Sequence, residues 1–142
     1  MLACSLLGGC SIPSLESGQC TDARNTLREF YSRYFGTDAS VRRNEPQVIG
    51  KYLSPAFNLT EREEGYAPAV DPFTLSTEFP KTFKVGTCQA DTINHAIIQV
   101  QLYWQEEHGS TKETTQREVS VDVIKSEDGR WLIDNVAEAR TK

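Results

Sequence analysis

The sequence predicts an α+β domain: one long helix and two short ones, then a curved antiparallel sheet of about four strands. Three observations lead there. Apolar residues recur at helical spacing between Ala23 and Tyr34. After Pro80 the apolar period changes from 3.6 to 2. The two regimes are segregated along the chain instead of alternating, which separates α+β from α/β architecture. The 142 residues are enough for one domain and few for two.

The clearest helix is Thr21 to Phe35, "TDARNTLREFYSRYF". Ala23, Leu27, Phe30, Tyr31 and Tyr34 form one apolar stripe. Thr21 is the expected N-cap, Asp22 suits the positive end of the helix dipole, and Gly36 follows as a stop. A second, shorter helix is expected from Asn44 to Leu53, with Pro46 in its first turn, where a missing N–H is tolerated. Ser54-Pro55 repeats the cap-then-proline pattern for a third helix to about Glu63. Gly65 to Pro80 holds three prolines and reads as irregular.

The strands follow. Phe83, Val85 and Thr87 alternate with polar or small residues in the first. His95 to Gln105 sets Ala96, Ile98, Val100, Leu102 and Trp104 on one face. Gln116 to Lys125 does the same with Val119, Val121 and Val123. The polar stretch Glu106 to Thr115 is expected to be a loop joining these two strands. Asp128-Gly129 is a tight-turn signal before a last strand, Trp131 to Val136. Such alternation is that of a meander with one buried face.

Composition bounds the function. Net charge is −5 and pI about 5.1, which argues against nucleic-acid binding, since that requires a basic face. There is no His-x-x-x-His, no Gly-rich phosphate loop and no Cys-x-x-Cys in the sequence, and neither a metal nor a cofactor is expected.

The N-terminus concerns location. Met1 to Gly9 is apolar and uncharged, and it ends in two small residues before Cys10. Leu7-Gly8-Gly9-Cys10 resembles a bacterial lipobox, the Leu-small-small-Cys pattern of lipoprotein signals. That resemblance implies cleavage before Cys10 and acylation of its sulfur, hence a membrane partner through a lipid anchor. Complete signals also carry a positive n-region, which a start upstream of Met1 would supply. Residues 1–10 are thus expected to be signal and lipobox, 11–19 ("SIPSLESGQ") a flexible tether reaching about 30 Å, and 20–142 a single domain. The expected location is the bacterial cell envelope, facing the periplasm or the exterior.

The four cysteines are Cys4, Cys10, Cys20 and Cys88. With the signal removed and Cys10 acylated, Cys20 and Cys88 remain, and an exported domain with one leftover pair oxidises it. A Cys20–Cys88 disulfide is therefore expected, provided that Cys88, which follows Val85 and Thr87 in the first strand, faces the helix.

The order of elements resembles the nuclear transport factor 2-like superfamily, close to cystatin-like folds. The ending "GRWLIDNV", Gly129 to Val136, is similar to the Gly-x-Trp-x-Ile-Asp-x-Val close of many such domains. "FYSRYF", "KYLSPAF" and "VDPF" resemble segments of an uncharacterised bacterial lipoprotein family within it. The resemblance spans Ala23 to Val136. It implies a sheet wrapped around the helix, with a conical cavity that serves catalysis in some members and binding in others. Fold alone does not decide between these.

Candidate cavity residues are Tyr34, Tyr52, Phe57, Asp71, Phe73 and Trp104. For the aromatic residues plain core is the commoner role. For Asp71, before Pro72, a turn is the commoner role. Asp134 suits either a loop cap or the cavity. His95 and His108 read as surface residues. The expected function is a membrane-anchored, non-catalytic lipoprotein domain that binds a small molecule or a protein partner. The alternatives are a small isomerase or hydrolase using Asp71, and an inhibitor or immunity protein.

Overall fold

The computed structural model describes residues 18–36, 50–57, 71–76 and 78–139. Within them lie one long helix, α1 (Gly18–Gly36), and four strands. The strands are β1 (Thr82–Thr92), β2 (His95–His108), β3 (Thr111–Lys125) and β4 (Trp131–Glu138). They form one open antiparallel sheet in the order β1-β2-β3-β4. The α+β class and the meander are as the sequence predicts.

α1 begins three residues before the expected start. Thr21 is therefore not its N-cap, Asp22 lies beyond its first turn, and Cys20 is a buried residue within the helix. Cys20 thereby extends the stripe of Ala23, Leu27, Phe30, Tyr31 and Tyr34, all of them buried. α1 lies chiefly against β1, with lighter contact to β4 and β2. From the sheet, Val85, Ala96, Ile98, Val100, Leu102, Val119, Val121, Val123 and Ile133 complete the core. Burying one such large side chain stabilises by roughly 1.5–3 kcal/mol.

The β2–β3 connection corrects an expectation. Glu106 to Thr115 is not a loop: β2 and β3 pair without interruption to His108↔Thr111, and only Gly109-Ser110 turn the chain. Polar side chains hide the strands here because neither face is covered. Residues 105–118 are exposed throughout.

Three bulges shape the sheet. Between Val85↔Val100 and Cys88↔Ile98, three steps along β1 match two along β2. Strict alternation would turn Cys88 away from Val85, and the extra residue returns it to the helix side. Gly86 suits this place, since a Cβ there would stand 3.1 Å from the Gln99 carbonyl oxygen. A second bulge lies between Ala90 and Thr92. The third, at Asp134, separates Asp122↔Asn135 from Val123↔Ile133. The β3–β4 turn is as expected: Gly129 takes φ +89°, and its N–H donates to the Ser126 carbonyl at 2.9 Å.

Most of the expected second helix (44–53) lies outside the described residues. Leu53, at its expected end, instead bridges Ile133 in parallel. The described part of the third helix follows expectation: Pro55 to Phe57 are helical, and the Phe57 N–H donates to Ser54 Oγ at 3.2 Å. Cys10, residues 11–17 of the tether and Gly65 to Val70 are outside the described residues; Gly18 and Gln19, the expected end of the tether, instead open α1.

Candidate functional site

The candidate aromatic residues gather around Phe30. Tyr34, Tyr52 and Phe73 place their rings 5.5, 5.4 and 4.9 Å from the Phe30 ring. Phe57 stacks on Phe73 at 5.3 Å. Tyr34 and Phe73 are buried in this cluster. Trp104 stands apart, half-buried, and its indole N–H donates to the Glu78 carbonyl at 2.8 Å.

Asp71 organises a turn. Its Oδ1 accepts the Phe73 and Thr74 N–H groups at 2.8 and 3.0 Å, and its Oδ2 accepts the Tyr34 hydroxyl. Tyr31 reinforces the same turn by donating to the Phe73 carbonyl at 2.9 Å. Burial holds the Tyr31 phenol far above its ordinary range, with the Asp71 charge adding to it. Leu75 closes the turn at φ 57°, a left-handed conformation rare for a branched side chain. Its carbonyl accepts Arg117 Nη1 at 2.6 Å, which ties the turn to β3.

Asp134 does cap a neighbouring segment: Ser54 Oγ donates to its Oδ1 at 2.7 Å. The bulge at Asp134 and the Leu53–Ile133 bridge together dock residues 52–54 on the edge of β4. This docking places Lys51 and Tyr52 over the side of α1.

A cleft results. Its volume is about 510 Å³, within the range of small-molecule sites. One wall is a polar stripe of α1: Asp22, Asn25, Thr26 and Glu29. The other sides are Lys51-Tyr52 and the Gly129-Arg130-Trp131 turn. The Tyr52 hydroxyl donates to Glu29 Oε2 at 2.8 Å, and the Arg33 Nε lies 3.7 Å from the same oxygen. Burial raises the Tyr52 phenol, and the Glu29 hydrogen bond and charge raise it further. The Lys51 ammonium lies 5.3 Å from the Tyr52 ring centroid. Arg130 Nε pairs with Asp128 Oδ2 at 2.9 Å.

Of the six candidate ligand-facing residues, Tyr52 lines this cleft. The rest of the lining was missed, although part of it carries a signal. Asp22, Asn25, Thr26 and Glu29 fall at i, i+3, i+4 and i+7, a polar stripe on the flank of the apolar one.

Two other groups of titratable residues stand elsewhere. On the sheet face away from α1, His95 Nδ1 contacts Asp91 Oδ1 at 2.6 Å, and its Nε2 lies 4.0 Å from Asp122 Oδ1. Partial burial raises the Asp122 carboxyl; His95 opposes the shift, and the Asp134 and Asp91 charges add to it. At the exposed end of the β2–β3 hairpin, His108 Nε2 lies 3.6 Å from Glu106 and 3.4 Å from Glu113. Each group thus pairs a histidine with neighbouring carboxylates.

The two remaining cysteines are joined. Cys20 and Cys88 form a disulfide with a Cα–Cα separation of 5.9 Å, across 68 positions of sequence. It pins the start of α1 to β1, just beyond the first bulge. Comparisons with protein-family models, with curated proteins and with solved structures find no match to this chain.

Proposed function

We propose that the chain is a lipid-anchored, non-catalytic domain of the bacterial cell envelope that binds a small polar ligand in the cleft beside α1. The cleft carries the binding part of this reading, because it sets charged and hydrogen-bonding groups around an aromatic floor of Tyr52 and Trp131. The Cys20–Cys88 disulfide supports the envelope location, since such bonds persist in oxidising compartments. The long helix across a four-stranded antiparallel sheet supports a nuclear transport factor 2-like assignment. The alternative of an enzyme built on Asp71 gains no support, because both carboxylate oxygens are engaged within the turn and by Tyr34.

A second reading, a protein partner, has one observation in its favour. The β2–β3 hairpin stands clear of the core with residues 105–118 exposed, as a docking arm would be.

The test uses the full precursor made in a bacterium. Labelled palmitate should enter it and bring it to the membrane fraction, and Cys10→Ser should release it. A screen of polar metabolites should then raise the melting temperature of the purified protein, and Lys51→Ala should abolish that rise. Label persisting in Cys10→Ser would move the anchor, and a rise unaffected by Lys51→Ala would move the ligand.

A further inference from the structure

We infer that the ligand of the cleft is a zwitterion of the amino-acid class, a free α-amino acid or a short peptide with an apolar side chain. The inference rests on the reading of the cleft as a binding site and names its ligand chemistry. Charge is separated between the walls. The charged residues that α1 contributes to the lining are acids, Asp22 and Glu29, with Asn25 and Thr26 between them. Arg33 lies 3.7 Å from Glu29 and Arg28 donates to Asn25 Oδ1 at 2.7 Å, so Asp22 is the acid of this wall without a cation beside it. The cations, Lys51 and Arg130, come from the other two segments.

Among the described residues, the Asp22 carboxylate has no ion-pair or hydrogen-bond partner, and the Lys51 ammonium has only the Tyr52 ring. Arg130 meets Asp128 through Nε, which leaves the outer nitrogens of its fork available to a carboxylate. Glu29 is already bonded to Tyr52, so Asp22 is the group positioned for an incoming ammonium.

A simple anion would meet the Asp22 carboxylate, and a simple cation would meet Lys51 and Arg130. Each would be repelled by one wall, which is how charge placement rejects a wrong partner. A ligand with both charges separated by a short backbone satisfies both walls at once. Trp131 and Tyr52 between the walls offer apolar surface to its side chain. The volume of about 510 Å³ has room for such a molecule.

The test titrates the full chain carrying Cys10→Ser with the dipeptide glycyl-leucine, its N-acetyl form, its C-terminal amide and a neutral disaccharide, read by backbone amide NMR. Glycyl-leucine should shift resonances of Asp22 to Glu29, Lys51 and Gly129 to Trp131. Blocking either end should weaken binding about tenfold. Asp22→Asn should weaken the dipeptide about tenfold and leave the N-acetyl form unchanged. Lys51→Gln should do the same for the free acid against the amide. The variants' resonances elsewhere report that they are folded. Absence of a saturable shift with glycyl-leucine up to about 10 mM overturns the proposal, as does equal binding of the blocked forms. If the disaccharide alone shifts the same resonances, the zwitterion is overturned while the cleft stands as a binding site. Shifts confined to other surfaces overturn both.

Discussion

Asp71 shows how one side chain can be structural where its residue type suggests chemistry. Its carboxylate accepts two backbone N–H groups and the Tyr34 hydroxyl. Removing it leaves a buried hydroxyl and two N–H groups without their acceptor, and each unmet buried donor costs about 1–3 kcal/mol. Asp71→Ala should therefore destabilise by about 3 kcal/mol in urea unfolding at neutral pH. Asp71→Asn, which keeps an acceptor, should cost less. An Asp71→Ala variant as stable as the parent but unable to bind ligand would return Asp71 to the binding site. The turn role was legible from Asp71-Pro72 in sequence. The bond to Tyr34 was not, because it joins residues 37 positions apart through a fold that the local pattern does not specify.

Among the elements, the strands were legible wherever one face is buried, because burial imposes the period of 2. Ala96 to Leu102 and Val119 to Val123 follow it closely. Legibility failed where the cause is non-local. The outer ends of β2 and β3 are polar on both faces, so pairing alone makes them strands. The start of α1 was missed because Thr21 offered a nearer cap in sequence, whereas the helix already includes Cys20, whose bond to β1 no local pattern reveals. The bulge between Val85 and Cys88 depends on the register with β2, which no single strand reveals, and it is what aims Cys88 at α1. The consequence is measurable. Closing a loop of 68 positions should stabilise by about 4 kcal/mol in the chain-entropy account. Paired Cys20→Ala and Cys88→Ala substitution, or a reductant, should lower the denaturant midpoint accordingly, and α1 should lose hydrogen-exchange protection first. A midpoint indifferent to reductant would show that the bond contributes nothing to stability.

At the scale of the whole molecule, the candidate site was the least legible feature. The cleft arises where three segments far apart in sequence meet, and the docking of Tyr52 to Ser54 on β4 brings them together. Of its lining, Tyr52 was a candidate from sequence, and the polar stripe on α1 carried a signal that went unread. The same non-local order divides the molecule into a packed body and a projecting arm. β1 begins to pair at Thr82↔Tyr103, and β4 stops at Glu138↔Val119. Beyond these, β2 and β3 continue as a two-stranded ribbon, exposed from residue 105 to 118. An isolated ribbon of this kind is marginally stable in water, so its ladder adds little to the body. Deleting Glu107, His108, Thr111 and Lys112 removes two cross-strand pairs and leaves Gly109-Ser110 turning between Glu106 and Glu113. Two residues leave each strand, so every remaining side chain keeps its face. The shortened protein should unfold within about 1 kcal/mol of the parent, as surface changes do. A loss of about 3–5 kcal/mol, the size of a large core truncation, would mean that the ribbon is packed and the body is not independent of it.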